Sequence, residues 1–419
     1  MPGTSGRRVA VIAGCRTPFC KAGTLLKDVR AVDLARHAVR ELVERTDLDG
    51  RDVDEVVFGQ VIPSALVPNV AREVSLLPQF PKEIPAYTVN RACASSGQAV
   101  SAAGDQIALG HADVVIAGGV ESLSDIPILA GRRLAGIVVE AGKAKSLGQR
   151  LATLAKIRPR DLVPVAPAIA EPSTGETMGQ SAEKMAKENR IRRDDQDRWA
   201  LRSHQLAAQG TASGKLTAEI TPWFPARPDA AVVTQDNGIR PDTSAEQMAR
   251  LPPVFDRRYG SVTAANSSPL TDGASAVLLM SEDRAQTLGY RPLAFIRSYA
   301  VAAVDPGWQL LQGPVWAVPK ALERAGIGWK DVGLIEIHEA FAAQVLSNLQ
   351  GFAAKGWEVN EEIINVMGGS IAIGHPFGAT GGRLVTTLAN EMDRRDVQFG
   401  LLSICAQGGM AFAMVLERI

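Results

Sequence analysis

Neither sign of charge is in excess in this sequence. Its 45 lysines and arginines balance 45 aspartates and glutamates, which removes the broad positive field that a general nucleic-acid binder needs. Cysteine is scarce. The four at positions 15, 20, 93 and 405 show neither Cys-x-x-Cys spacing nor the density of a disulfide scaffold, so free thiols in a reducing compartment are expected and a metal site is not. No run of eighteen apolar residues occurs, so no membrane-spanning helix is expected. The strand-like stretch Arg8 to Ala13 starts close to the first residue, leaving no room for a signal peptide and making a cytoplasmic location the expectation. Low-complexity segments are also missing.

What is present is an ordinary globular composition, 46% hydrophobic and 21% charged over 419 residues, long enough for two or three domains. Leu34, Ala38, Leu42 and Val43 fall near helical spacing within Asp33 to Arg45, and a strand follows at Val53 to Phe58, which predicts a β-α-β start. A helix is expected from Ser95 to Leu109 and a fully buried strand from Asp113 to Gly119. The same grammar returns later. Ala321-Leu322-Glu323-Arg324, Asp331-Val332, Ile335 and Ile337 repeat Leu42-Val43-Glu44-Arg45, Asp52-Val53, Val56 and Phe58 at a constant offset of 279 residues. One offset for a helix, its turn and the next strand predicts two α/β halves facing each other. Residues 1–122 with 255–285 are assigned to the first half and 286–419 to the second. Residues 123–254, Pro-rich and broken by helical pieces at Ser181 to Arg190 and Arg193 to Gln209, read as an inserted loop domain.

Four short stretches carry the chemistry. Cys93 lies in Asn-Arg-Ala-Cys-Ala-Ser-Ser-Gly, just before a predicted helix, where unpaired amides and the dipole favour a thiolate. His375 lies in Gly-Gly-Ser-Ile-Ala-Ile-Gly-His-Pro, a second helix entry, and reads as the base for Cys93. His338 follows the strand Leu334 to Ile337, with Glu339 beside it to orient the ring, and Cys405 ends the strand from Leu401. Taken singly, Cys93 reads more readily as a buried structural thiol, Cys405 equally well as a strand-end core cysteine, and each histidine more readily as a satisfied polar residue. Together they are the equipment for breaking or making a carbon-carbon bond beside a thioester: one thiolate to hold an acyl group, one thiol to move a proton, and two imidazoles as base and oxyanion donor.

With His-Glu-Ala-Phe at 338–341 and Cys-Ala-Gln-Gly-Gly at 405–409, these motifs resemble, in order and over nearly the whole chain, those of the thiolase family. The resemblance implies a five-layered αβαβα duplicated fold with an inserted loop domain, a homodimer or dimer of dimers, coenzyme A as substrate and no permanently bound cofactor. It implies Cys93 as the acylated nucleophile, His375 as its base, Cys405 as the acid/base at the α-carbon, and His338 with His375 on the thioester oxygen. The backbone amides of Cys93 and Gln407 would form a second oxyanion hole, with Ser268 beside the pantetheine and Met178 at the acyl pocket. Gln407 stands where Gly or Ala is usual, so its side chain is expected to narrow or polarise the pocket. Many thiolases carry Asn where this chain has His338; the His form resembles the β subunit of the fatty-acid-oxidation trifunctional complex, as do Ser124 to Ile128 and Lys143 to Leu151. Cleavage of long 3-ketoacyl-CoA chains, with a hydratase/dehydrogenase subunit as a partner, is the activity this implies.

Rival readings are a biosynthetic acetyl-CoA C-acetyltransferase, a decarboxylating condensing enzyme, which has no use for Cys405, and a non-catalytic acyl-CoA or sterol carrier. Residues 131–160 hold eight basic side chains against the single acid Glu140, with Leu147, Leu151 and Leu154 at helical spacing. This predicts a basic amphipathic surface for anionic lipid, a partner subunit or coenzyme A phosphates, or else a solvated charged face.

Overall fold

The computed structural model describes residues 6–165, 170–225 and 231–419. The first half is built on strands β1 (Val9–Arg16), β2 (Cys20–Lys21), β3 (Glu55–Gly59), β4 (Ala86–Val89) and β5 (Val114–Glu121), with helices α1 (Ala31–Thr46), α2 (Val70–Ser75) and α3 (Ser95–Ala108). Helix α1 forms because Leu34, Ala35, Ala38, Leu42 and Val43 make one buried stripe. It stops at Asp47, whose left-handed conformation (φ 50°) lets its amide donate back to Glu44 and Val43. An insertion follows, carrying α4 (Arg132–Lys143), α5 (Leu147–Leu154), α6 (Met178–Glu188), α7 (Arg193–Ala212) and α8 (Ala245–Ala249). The chain then returns to the first sheet as β6 (Thr271–Ser281), every residue of which is buried, and leaves it through α9 (Glu282–Thr287).

The second half comprises β7 (Ala294–Ala303), α10 (Pro314–Ala325), β8 (Leu334–Ile337), α11 (Ala342–Ala353), α12 (Ser370–Ile373), α13 (Thr380–Arg395), β9 (Phe399–Ala406) and β10 (Met410–Glu417). The duplication is visible in the pairing. The first sheet runs β4-β3-β5-β6-β1, the second β7-β10-β9-β8. β3 is parallel to β5 as β8 is to β9, and the parallel β3–β4 pairing is reduced in the second half to a single bridge between Ile335 and Ile364. The sheets meet at Ala10/Phe295 and Val11/Ala294, so the strands form one path.

Three cores stack the layers. Helices α1 and α2 cover the outer face of the first sheet through Leu34, Ala38, Phe58 and Ile116. Between the two sheets lie α3 and α13, whose Val100, Ile107, Leu384 and Leu388 share one core with Val277 and Phe412. Helices α10 and α11, joined by α6 and α7 of the insertion, cover the outer face of the second sheet. The result is the α-β-α-β-α layering implied by the family resemblance. A sheet buried on both faces needs continuous apolar strands, as β5 and β6 are.

The two inner helices touch backbone to backbone. A Cβ on Gly381 would sit 2.4 Å from the Gly97 nitrogen, and the Gly382 amide donates to Ser96 Oγ at 2.9 Å. Because α3 follows Cys93 and α13 follows His375, this contact brings the two reactive turns to one place.

Candidate active site

Cys93 ends a tight turn that its neighbours hold in place. The Ala92 amide donates to Asn90 Oδ1 at 2.9 Å, the Arg91 amide donates to Ser95 Oγ at 2.9 Å, and that hydroxyl donates to the Ala92 carbonyl at 2.6 Å. Ala92 itself has φ 45°, a conformation uncommon outside glycine. On the facing turn, Gly374 takes φ 115° with Thr271 so close that a Cβ would lie 2.6 Å from its Cγ2. His375 follows, and its amide donates to the Pro269 carbonyl at 3.2 Å. Buried Glu121 ties this region together: its carboxylate accepts from Val61 and Ile62 at 3.0 Å and from Gly378 at 3.1 Å. His338 continues the β8–β9 pairing, its amide donating to the Ser403 carbonyl.

The result is a three-residue cluster drawn from three distant segments. One ligand-type atom each of Cys93, His338 and His375 lies within 4.8 Å of the others, and the two imidazole centroids are 4.1 Å apart. Spacing along the sequence gave no sign of this grouping; the fold assembles it. Cys405 is buried at the end of β9, near enough to Cys93 for that thiol to raise its pKa further.

The hydrogen bonds assign opposite tautomers to the two imidazoles. Thr380 Oγ1 donates its one proton to the Pro376 carbonyl at 3.0 Å, so at 2.6 Å it accepts from His375 Nδ1–H. This leaves the Nε2 of His375 a free base. Ser370 Oγ accepts from Arg383 Nη2 at 3.2 Å and keeps its own proton free to donate to His338 Nδ1 at 2.9 Å. The proton of His338 then resides on Nε2, a donor. Neither Nε2 has a hydrogen-bond partner among protein atoms. One imidazole is set to take a proton and the other to give a hydrogen bond.

Electrostatics keeps all four groups neutral at rest. Burial, then Arg383, pushes His375 down to about 3, and burial with His375 and Arg383 holds His338 well below its ordinary value. Burial pushes the Cys93 thiol up to about 11, against the pull of its own amide and that of Gln407. This corrects the expectation of a resting thiolate: loss of water outweighs the helix entry. Burial first and Cys93 second also raise Cys405 well above the usual thiol range, which leaves it a proton carrier.

One further expectation is corrected. Glu339 does not touch the His338 ring; it accepts from Trp199 Nε1, Ser203 Oγ, Asn365 Nδ2 and the Ile371 amide, and so fixes the turn from which Ser370 orients that ring. The Gln407 side chain donates to the Ala170 carbonyl at 3.3 Å, which ties it to the insertion. Nearby, Glu171 accepts from the Gly408 amide at 2.9 Å. Ser268 is half-buried and donates its amide to Ala340, beside the His338 turn. Met178 opens α6 and packs on the second-half core beside Phe255 and Phe341. Reading the sequence passed over Ser370, Thr380, Arg383 and Glu171; Ser370 lies within a stretch already singled out and Thr380 four residues beyond it, while nothing local marked Arg383 or Glu171.

The description "Thiolase, N-terminal domain" matches residues 9–283 and "Thiolase, C-terminal domain" residues 290–418. The chain belongs to the thiolase family. A 3-ketoacyl-CoA thiolase of Yersinia enterocolitica is 48% identical over 425 residues, covering 98% of this chain and 97% of that one. One of Colwellia psychrerythraea is 46% identical, covering 99% and 98%. Among solved structures, the acetyl-CoA acetyltransferase of Bacillus anthracis superposes with a TM-score of 0.88 at 34% identity over all of both chains. Human mitochondrial 3-ketoacyl-CoA thiolase does so with 0.85 at 32% over 99% of each.

Proposed function

We propose that this thiolase cleaves 3-ketoacyl-CoA with coenzyme A, giving acetyl-CoA and a shortened acyl-CoA in fatty-acid β-oxidation, through an acyl-Cys93 intermediate. The observation that carries the proposal is the cluster of Cys93, His338 and His375 with opposed imidazole tautomers. His375 Nε2 takes the Cys93 proton as sulfur attacks the 3-keto carbon, whose oxygen is met by the amides of Cys93 and Gln407. The bond between C2 and C3 breaks, and the enolate oxygen of the departing acetyl-CoA is held by His338 Nε2–H and by His375, now protonated. Cys405 gives its proton to C2. Coenzyme A then enters, Cys405 takes its thiol proton, and the sulfur attacks acyl-Cys93 to release product. Ser268 and Met178 are proposed to flank the pantetheine and the acyl chain. Thiolases act on coenzyme A thioesters and need no permanent cofactor, and the same holds in this scheme.

Cys93→Ala is expected to lower thiolysis by at least about 10⁴-fold in a spectrophotometric assay with 3-ketoacyl-CoA. Cys405→Ala is expected to abolish turnover while still acylating Cys93 in single-turnover mass spectrometry. Undiminished cleavage by Cys93→Ala would sink the scheme.

We extend the proposal to the setting of the enzyme, a cytoplasmic homodimer able to touch a membrane or a partner hydratase/dehydrogenase subunit through residues 131–160. Helices α4 and α5 leave Val138, Val139, Leu147 and Leu151 each more than half exposed. Among the described residues, only Arg133 and Lys156 of the eight basic side chains there meet a carboxylate. Reversing the charge of Lys143, Lys145 and Arg150 is expected to abolish flotation with anionic vesicles, or partner capture, at unchanged kcat. Retention of both interactions would leave a merely solvated face.

A further inference from the structure

A thiol and two imidazoles converging in a buried site are also the donor set of a soft divalent cation. Both Nδ1 atoms are engaged, by Ser370 and Thr380, so Nε2 is the atom each ring offers, and neither has a protein partner. We propose that Cys93 Sγ, His338 Nε2 and His375 Nε2 bind one Zn²⁺-like ion, which competes with the acyl-CoA substrate. In a tetrahedral zinc site such donors stand about 3.3–3.6 Å apart; here one ring nitrogen of each histidine and the Cys93 sulfur lie within 4.8 Å of one another, so side-chain rotation is needed to close the set. The fourth position stays open, as in zinc sites that bind a water or an anion.

The surrounding hydrogen bonds decide how ready each ligand is. His375 already carries its proton on Nδ1, with Thr380 as acceptor, the arrangement that orients metal-bound histidines. In His338 the proton must move from Nε2 to Nδ1, where Ser370 Oγ accepts it, using its second lone pair beside Arg383. Cys93 releases its proton to solvent, so each ion bound frees one proton and adds one net positive charge. The buried Arg383 guanidinium, paired with Glu336 at 3.1 Å, opposes that charge, which places the affinity below that of a structural zinc site. Softness selects Zn²⁺, Cd²⁺ and Co²⁺ over Mg²⁺ and Ca²⁺. His338 is the deciding ligand: with Asn there only two of these three donors remain.

Titration of the intact protein with Co²⁺ tests this. One equivalent per chain is expected to produce the near-ultraviolet thiolate charge-transfer band and the intense visible bands of a tetrahedral ion, both erased by Zn²⁺ and untouched by Mg²⁺. His338→Asn is expected to weaken binding at least about tenfold, and Cys93→Ser, or wild-type protein alkylated at Cys93, to lose the thiolate band. Zn²⁺ is expected to inhibit thiolysis by raising the apparent KM, reversibly with a chelator. A cobalt spectrum without the thiolate band, or one that survives Cys93→Ser, overturns the proposal. Competition rests on the thiolytic reading, but the spectrum does not: bands without thiolysis would refute that reading alone, and thiolysis without bands this inference alone.

Discussion

At the scale of single residues, the site depends on where two protons reside. The His338 tautomer is set by Ser370, itself held by Arg383. Ser370→Ala removes the donor to Nδ1, so Nε2 no longer keeps its hydrogen for the enolate oxygen. The expected outcome is a kcat reduced about 10- to 100-fold, less than or equal to the loss of a whole oxyanion donor, with KM little changed, recovered in part by Ser370→Thr. Imidazole ¹⁵N shifts of His338 report the tautomer directly, and an unchanged shift with unchanged kcat would refute the assignment. The four reactive residues were legible in the sequence because each sits in a motif with its own turn chemistry. Ser370 and Thr380 lay in plain view but unassigned, since a hydroxyl's role depends on which ring it meets. Arg383 was not legible at all: a charge in the first turn of a helix reads as solvent-facing until the fold buries it against Glu336 on another element. The direction of the Cys93 shift was also misread, because a helix entry is visible in sequence and the extent of burial is not.

At the scale of elements, periodicity carried most of the fold. The predicted helix from Asp33 to Arg45 is α1, and the strands predicted from Asp113 to Gly119 and from Leu401 are β5 and β9. The repeated offset holds in the structure, where the turns Gly50–Asp52 and Trp329–Asp331 each lead into a parallel strand. What periodicity cannot report is how two helices cross. Gly381 and Gly97 are small because α3 and α13 meet at their backbones between the two sheets. Gly381→Ala places a methyl 2.4 Å from the Gly97 nitrogen and 3.0 Å from its Cα, and rigid backbone on both sides leaves it nowhere to go. A loss of about 1–3 kcal/mol in urea unfolding is expected. Activity is expected to fall by more than stability explains, because the same helices carry the Cys93 and His375 turns. Full activity in a destabilised variant would show that the crossing supports the fold without setting the site.

At the scale of the whole molecule, buried titratable groups pull stability in opposite directions with pH. Glu121, pushed up to about 7 by burial, favours folding most at low pH and loses that contribution as pH rises through that value. His204 acts the other way. It lies buried in α7, accepts the Arg240 amide on Nδ1 at 3.3 Å, and is pushed down to about 4 by burial, then by Arg240 and Lys21. Its folded pKa lies below the ordinary 6.5, so the unfolded chain binds the extra proton; the contribution is whole above pH 6.5 and is lost as pH falls toward 4. Because the carboxyls oppose this slope, the net pH dependence of the wild type alone is not diagnostic. Comparison with His204→Asn, which keeps an acceptor near the Nδ1 position and cannot titrate, isolates the group. Between pH 7 and pH 5 the wild type is expected to lose about 2 kcal/mol more unfolding free energy than the variant, measured by urea titration at each pH. Parallel losses in the two proteins would mean that His204 takes up its proton without unfolding, by swinging its ring out from between α7 and the segment that carries Arg240.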